Sequence, residues 1–166
     1  MLSKPDAGWS TFQICESHSY ELSYLTDVAG EWLEQAIHGL QTLAPFAVHG
    51  FCEPNRMVCL ISYHTCYVVF EGDGICGDNH GFKDVYGVDL TMIDFCRALY
   101  NDINNNLEDW VHWDLHDPAD DDDDEDAELT RKEIIERRNE LIEQLNKLKE
   151  VIKEKEEWWT PHHCFF

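Results

Sequence analysis

A run of acidic residues divides the chain into two parts of different character. Residues 114–128 contain ten acidic residues and no basic one, including five consecutive aspartates, Asp120 to Asp124. Neighbouring carboxylates repel one another, and aspartate favours neither helix nor strand, so this segment cannot bury an apolar face. We therefore expect a folded body over residues 1–113, a solvated acidic linker over 114–128, and a long helix with an aromatic tail over 129–166.

Negative charge is concentrated in the body and the linker. The formal net charge of the 166-residue chain is −22. Residues 1–113 carry 16 acidic and 4 basic residues, whereas residues 129–166 carry eight of each. Direct binding to nucleic acid requires clustered lysine and arginine, which release counterions from the phosphates. The charge distribution therefore disfavours direct nucleic-acid binding and favours a basic protein as the partner.

The sequence contains no feature that predicts export or membrane insertion. No run of about 18 apolar residues occurs, and the first ten residues, MLSKPDAGWS, lack the apolar core of a signal peptide. The seven cysteines form no CxxC pair, and several lie within apolar strand or helix patterns. We therefore expect no membrane partner, reduced thiols and a cytoplasmic location.

Short strand patterns and two helix patterns alternate along the body. A four-residue loop, Glu16–Ser19, would join the first two strands into a hairpin. The order of the elements predicts an α+β fold in which a mostly antiparallel sheet of about five strands is covered by two helices. The predicted strands are Trp9–Cys15, Tyr20–Leu25, Phe46–Phe51, Arg56–Ser62 and Thr65–Phe70, with a further short one at Asp84–Val88. Because no glycine or proline marks a break, residues 56–70 could instead form one long bent strand.

Apolar residues at three- and four-residue spacing predict both body helices. The first covers about residues 28–43, with Asp27 as its N-cap and Pro45 beyond its end. The second begins at a capping box formed by Thr91 and Asp94 and keeps one apolar face for five turns, as far as Trp110. We expect both helices to pack on the same face of the sheet.

The residues after the acidic segment predict a long helix that needs a surface to pack on. A second capping box, Thr130 with Glu133, would start this helix, which can run to about Glu157. We expect its coiled-coil-like stripe either to pack on the uncovered face of the body's sheet or to form a homodimer through residues 130–157. The stripe consists of five apolar residues, Ile134, Leu141, Leu145, Leu148 and Ile152.

Motifs for catalysis or metal binding are weak throughout the chain. Cysteine and histidine lie close together at four places, including Cys15 with His18 and His64 with Cys66. Such pairs can bind zinc or form a nucleophilic dyad, but their spacing gives no closed set of four ligands. Glycine motifs for phosphate binding are absent. We expect no cofactor and no metal site, and a binding protein rather than an enzyme.

Two acidic stretches supply the predicted partner-binding surface. Residues 71–87 are rich in glycine and aspartate and form a loop of the length that often carries function. A dense negative field accelerates encounter with a basic partner, and tryptophan is a frequent interface anchor. The predicted partner-binding residues are Glu71, Asp73, Asp78, Asp84, Trp113, Asp120, Asp121, Asp122, Asp123 and Asp124.

In size and charge the chain is similar to the cytosolic immunity proteins that bacteria keep against basic nuclease toxins, although no sequence motif carries the likeness. The resemblance implies an acidic inhibitor that occludes the active site of a basic toxin or nuclease. Two alternatives stay open. One is a nucleic-acid mimic that sequesters DNA- or RNA-binding proteins, and the other is a metal protein or enzyme that uses the cysteine and histidine pairs.

Overall fold

The structure, a computed structural model, describes residues 1–71, 82–113 and 124–156, with side chains for 1–71, 85–113 and 131–156. Within these residues the chain forms a mixed α+β fold, as the sequence predicts. The strands are β1 (Trp9–Cys15), β2 (His18–Ser23), β3 (Phe46–Cys52), β4 (Asn55–Ile61), β5 (Cys66–Glu71) and β6 (Phe82–Val88). The helices are α1 (Val28–Thr42), α2 (Met92–Asn105), α3 (Leu107–Val111) and α4 (Asp124–Glu156).

The strands form two antiparallel sheets. β3, β4, β5 and β6 follow one another in a four-stranded meander, while β1 and β2 pair separately as a hairpin. The hairpin is as predicted, but its connection is shorter than the expected four residues. Pairing resumes between Cys15 and His18 after an irregularity in register that follows Phe12. This late pairing brings the last residue of β1 beside the first residue of β2.

Side chains alternate between the two faces along each strand, and one face of the four-stranded sheet is covered by helices. α1 packs on β3, and the indole of Trp32 donates a hydrogen bond of 2.7 Å from Nε1 to the carbonyl oxygen of His49. α2 contributes Phe95, whose ring lies edge-on to that of Phe46 with centroids 6.0 Å apart. Both helices therefore lie on one face, as expected. The buried side chains of this face include Phe46, Val48, Met57, Cys59, Ile61, Cys66 and Val68.

The hairpin covers the rest of the same face. Tyr20 stacks on Phe70 with ring centroids 5.3 Å apart. Leu22 is fully buried and lies over Gly50, where an added Cβ atom would be 2.8 Å from a leucine methyl carbon. Gly50 therefore lets the two sheets approach each other, because any larger side chain would displace Leu22.

Both N-caps predicted for the body helices are confirmed. Oδ1 of Asp27 accepts a hydrogen bond of 3.1 Å from the amide of Gly30 at the start of α1. Oγ1 of Thr91 accepts a bond of 3.2 Å from the amide of Asp94 at the start of α2. These bonds satisfy backbone donors that have no partner within the helix.

The second body helix is interrupted. The prediction of one continuous five-turn helix is therefore wrong, because the structure has two shorter helices in its place. Asn106 has φ −125° and ψ 32°, outside the helical region, and it separates α2 from α3. Its Nδ2 donates a hydrogen bond of 2.9 Å to the carbonyl oxygen of Asp102. Asparagine competes in this way for backbone groups, which lowers its helix propensity. The short α3 that follows buries Trp110 and Val111.

α4 packs on the helices rather than on the sheet. It contacts α1, α2 and α3, so that α1 and α2 form a layer between the four-stranded sheet and α4. Packing on the uncovered sheet face, one of the two expectations, is therefore wrong. The physical reason is that α1 is apolar on two sides, since it buries Trp32 and Leu33 as well as Ile37. The homodimer through residues 130–157 stays a prediction. In the structure the stripe faces the same chain: Leu141, Leu145, Leu148 and Ile152 are buried and Ile134 is partly buried. Val151, outside the predicted stripe, is buried with them.

The first residue of α4 is Asp124, so the helix begins before the capping box expected at Thr130. Acidic residues at the start of a helix interact favourably with the positive end of its dipole. The acidic sequence that precedes Thr130 can therefore extend the helix instead of ending it. α4 takes in the C-terminal end of the predicted linker, whose residues 114–123 lie outside the described part of the chain.

A bidentate ion pair attaches α4 to the body. Arg137 Nη2 and Nη1 lie 2.6 Å and 3.0 Å from the two carboxylate oxygens of Asp27, and Nε donates to the carbonyl oxygen of Trp110. Burial by itself would raise the pKa of Asp27, but the hydrogen bonds and positive charge of Arg137 lower it below its ordinary value. One carboxylate thus caps α1 and anchors α4.

Candidate interaction surface

The second face of the four-stranded sheet carries apolar side chains that remain exposed in the described part of the chain. Phe51 is 37% exposed, Leu60 43%, Tyr67 45% and Val85 62%. Soluble proteins scatter single apolar residues over their surface, but they rarely expose contiguous apolar patches. We refer to this surface as the open face. Its apolar residues are Ala47, Phe51, Val58, Leu60, Tyr67, Val69 and Val85.

Strand register makes the open face contiguous. Leu60 pairs with Ala47 on one side and with Tyr67 on the other, and Tyr67 pairs with Gly87. Paired residues point to the same side of a sheet, so their side chains touch across the strands. An added Cβ atom at Gly87 would be 3.3 Å from Cε1 of Tyr67, which shows that the tyrosine ring lies beside this glycine. The face is therefore one patch and not four isolated side chains.

An ion pair closes one end of the open face. Arg56 and Glu71 are partners in the register of β4 and β5, and their side chains are joined by contacts of 2.6 Å and 2.7 Å. Next to them, the rings of His49 and Phe51 lie edge-on, with centroids 6.2 Å apart. Glu71, a predicted partner-binding residue, therefore borders the open face with its charge matched by Arg56.

Trp113 was expected to bind the partner, and the structure places it in the core. Its side chain is 2% exposed, and Nε1 donates a hydrogen bond of 2.8 Å to the carbonyl oxygen of Thr26. Its ring lies against that of Trp110, which is also buried. This expectation is corrected, because a buried ring cannot anchor a partner without unfolding the segment that holds it.

The other predicted binding residues fall mostly outside the described side chains. Asp84 lies in β6, where its backbone pairs with Phe70. Asp124 is the first residue of α4. The side chains of Asp84 and Asp124 lie outside the residues whose side chains the structure describes. The remaining residues lie outside the described ranges altogether, namely Asp73, Asp78, Asp120, Asp121, Asp122 and Asp123.

The open face itself was missed at the sequence level, although a signal was present. The stretches Met57–Ile61 and Cys66–Phe70 contain only apolar residues and tyrosine. A strand with one solvated face alternates apolar and polar residues, whereas a strand that is apolar on both faces forms a continuous run. These two uninterrupted runs, adjacent in the sheet, therefore indicate apolar side chains on its second face as well.

Positive charge on the body is neutralised by the body's own acids and by α4. Lys4 lies 3.0 Å from Asp109, and Arg97 contacts both Asp94 and Glu156, at 2.6 Å and 3.0 Å. Arg56 is paired with Glu71 at the end of the open face, so every lysine and arginine side chain described within residues 1–113 has an acidic partner. The acids of residues 1–113 outnumber the bases by 16 to 4, so the body carries a net negative charge.

The buried cysteines offer no site for chemistry. A hydrogen bond between Cys59 and Cys66, together with burial, raises the pKa of Cys59. Burial also raises the pKa of Cys96 to about 12. Neutral thiols of this kind are poor nucleophiles and poor metal ligands. In residues 1–71, 82–113 and 124–156, no group of three or more histidine, cysteine and acidic residues could hold a metal ion.

Comparison with known proteins gives no relative. The chain matches no protein-family profile, no curated protein and no solved structure. Within the described residues, no helix combines the length and apolar character needed to cross a membrane.

Proposed function

We propose that this chain is an acidic, cytoplasmic protein-binding inhibitor of the immunity type, which neutralises a basic toxin or nuclease by occluding its active site. The observation that carries the proposal is the open face, a contiguous apolar and aromatic patch on a chain of net charge −22. Apolar and aromatic side chains supply affinity at interfaces, while surrounding charge steers encounter and selects the partner.

The size of the open face defines the role that it can play. Four strands about 4.8 Å apart and about five residues long cover roughly 250 Å². A specific interface buries about 800 Å² on each partner, so the patch can form only the central part. In this proposal, acidic residues of the chain, which has a net charge of −22, would supply the rim. This division matches the usual anatomy of interfaces, in which an apolar core is surrounded by polar residues.

A negative rim fits an enzyme that acts on nucleic acid. Such enzymes hold phosphates in clefts lined with lysine and arginine. An inhibitor that seats its apolar patch beside such a cleft and its carboxylates over the basic residues would block access of the substrate. It would use no chemistry of its own.

The proposal is tested by capture from nuclease-treated extract of the cells in which the chain occurs. The immobilised chain is washed at about 0.15 M and then about 1 M salt. We expect one basic protein, recovered in an equimolar amount, to survive the second wash because apolar contacts are not screened. The purified partner should then lose its toxic or nuclease activity when one equivalent of the chain is added.

A matched pair of variants assigns the binding to the open face. Leu60→Ser with Tyr67→Ser removes two side chains that are 43% and 45% exposed on this face. Ile142→Ser with Tyr24→Ser removes side chains of similar exposure, 39% and 51%, elsewhere on the surface. We expect the first variant to weaken binding of the captured protein at least about 30-fold, in keeping with the loss of interface anchors, and the second to leave it within about threefold.

Three outcomes would contradict the proposal. Equal binding by both variants would show that the open face is not the interface. Capture of many nucleic-acid-binding proteins, all lost at about 1 M salt, would favour a mimic of nucleic acid. Recovery of no protein would remove the evidence for an inhibitor and favour chemistry at the cysteine and histidine residues.

The acidic run has a separable role in this proposal. Replacing the five residues from Asp120 to Asp124 by serine should slow association with the captured partner about tenfold at low salt and leave the dissociation rate almost unchanged, because steering acts on encounter. Stopped-flow measurements at two salt concentrations would distinguish the two rates. A faster dissociation would instead indicate direct contacts made by these aspartates.

A further inference from the structure

The turn between β1 and β2 brings a thiol, a hydroxyl and an imidazole together. Cys15 Sγ lies 3.4 Å from Ser17 Oγ and 3.6 Å from His18 Nδ1. Ser17 Oγ in turn lies 2.8 Å from the same imidazole nitrogen. The late pairing of Cys15 with His18 in the hairpin register produces this cluster. A turn with more residues would hold the three side chains farther apart.

The three groups form a path along which the thiol proton can move. The thiol can pass its proton to His18 directly or through the Ser17 hydroxyl, which leaves a thiolate beside an imidazolium ion. The imidazole ring is held in place, because it stacks on Tyr86 with centroids 4.2 Å apart and planes 20° apart. A cationic neighbour and a hydroxyl donor both stabilise a thiolate.

The electrostatic environment agrees with this arrangement. Hydrogen bonds from Ser17 and then from His18 lower the pKa of Cys15 to about 7. Burial, followed by the neighbouring Tyr20 hydroxyl and the Cys15 thiol, raises the pKa of Tyr86, so its phenol stays neutral. The contrast within the chain is large, because burial raises the pKa of Cys52 to about 11. Cys15 is also partly exposed, so small reagents can reach it.

We propose that the cluster of Cys15, Ser17 and His18 is a reactive-thiol site that forms mixed disulfides with low-mass disulfides. The Cys15 thiolate attacks one sulfur of the reagent, a new S–S bond forms, and the S–S bond of the reagent breaks. The departing thiolate takes a proton from His18. Two electrons pass from the protein thiol to the leaving sulfur, so no further oxidant is needed.

This site is independent of the proposed inhibitor function, because it lies on the hairpin and not on the open face. Exchange with disulfides is most efficient when the pKa of the attacking thiol is near the ambient pH. The cluster meets this condition at neutral pH, whereas Cys52 and Cys96, whose pKa values are raised by burial, do not. Among the five cysteines that the structure describes, we therefore expect the modification at Cys15.

The test measures reactivity of Cys15 in the reduced full-length chain, with Cys52 as internal reference. Iodoacetamide, which is uncharged, is applied between about pH 5.5 and 9.5, and each alkylated peptide is quantified by mass spectrometry. We expect Cys15 to react with a midpoint near pH 7 and, at pH 7, at least about tenfold faster than Cys52. Cystamine should add one cysteamine group to Cys15, and dithiothreitol should remove it.

His18→Phe provides the sharpest variant, since it keeps a ring to stack on Tyr86 but removes the imidazole nitrogen. It should move the midpoint towards the ordinary thiol value of about 8.5 and slow alkylation at pH 7 at least about threefold. Ser17→Ala, at an exposed position, removes the hydroxyl group and should shift the midpoint in the same direction. This second variant tests the cluster even if the phenylalanine disturbs the turn. His38→Phe, on the exposed side of α1, serves as the control and should have no effect.

Several results would overturn the proposal. One is a wild-type midpoint at or above about 8.5, the value of an ordinary thiol. Another is an alkylation rate of Cys15 at pH 7 that is the same in His18→Phe, in Ser17→Ala and in the wild type. A third is a cystamine adduct that forms on Cys52 as fast as on Cys15. Each would show that the cluster is a structural turn without special reactivity.

Discussion

Two apolar surfaces of this chain differ in exposure: the stripe of α4 is largely buried, and the open face of the four-stranded sheet is exposed. Leu145 and Leu148 of the stripe are 3% and 0% exposed, whereas Leu60 and Tyr67 of the open face are 43% and 45% exposed. The stripe is covered because α1 presents apolar residues on its outer side as well as its inner side. Among the described elements, none is placed to cover the open face. The two surfaces thus differ in their contribution to the fold, since the stripe is buried while the open face stays exposed in the described part of the chain.

The largest effect should come from placing charge in the stripe. Leu145→Asp with Leu148→Asp would bury two carboxylates without partners, so we expect the free energy of unfolding to fall by about 5 kcal/mol or more. Limited proteolysis should cut α4 first, and the hydrodynamic radius should rise. Unchanged protease resistance and size would show that the stripe contributes nothing, which would remove the contrast with the open face.

A smaller loss should follow removal of the ion pair that anchors α4. Arg137→Ala leaves the carboxylate of Asp27 without its bidentate partner in a partly buried site, so we expect a loss of about 2 kcal/mol in urea unfolding. The matched control is Arg138→Ala, which removes an ion pair with the exposed Glu108 and should cost less than about 0.5 kcal/mol. Equal losses would show that the two neighbouring arginines are equivalent.

The same ion pair should respond to acid. Because the folded-state pKa of Asp27 is lowered, the native state binds a proton less readily than the unfolded state. Its contribution is complete above the unfolded pKa of about 4 and is lost as the pH falls through the folded value. The stability difference between wild type and Arg137→Ala should therefore shrink between about pH 6 and pH 3. A constant difference would show that Arg137 acts through packing alone.

The smallest effect on stability should be at the open face. Leu60→Ser with Tyr67→Ser should change the free energy of unfolding by no more than about 1 kcal/mol, close to the effect of Ile142→Ser with Tyr24→Ser, because exposed positions contribute little. Thermal unfolding of the two variants gives this comparison directly. A loss of about 3 kcal/mol in the first variant would mean that the face supports the fold, and a binding role would then need other residues.

Local rules predicted most of the elements of the fold. The caps at Asp27 and Thr91 and the spacing of apolar residues located the body helices, because these signals lie within one or two turns of sequence. The strands were located by their apolar runs and turn residues, and the described boundaries differ from those predicted by two residues or fewer. The break at Asn106 was missed, because the apolar spacing continues through it to Trp110.

The apolar runs indicate that the second sheet face is apolar, but its exposure was not predictable from the same rules. Exposure of Leu60 and Tyr67 depends on which face of the sheet the helices cover, and that choice involves residues far apart in sequence. Trp113 illustrates the reverse error, since its bond to the carbonyl oxygen of Thr26 joins residues 87 positions apart. Charge counts led to the proposal of a basic partner, but they could not distinguish a tryptophan in the core from one on the surface.

The central position of α1 and α2 has a consequence for synthesis of the chain. The body is translated before α4, so the outer side of this helical layer stays exposed until the ribosome has added residues 137–152. At about 5–20 residues per second this interval lasts several seconds. During it the nascent body presents two uncovered apolar surfaces instead of one, and transiently exposed apolar surface is prone to aggregation. A pause in translation within the acidic run would prolong that interval, and faster delivery of α4 would shorten it.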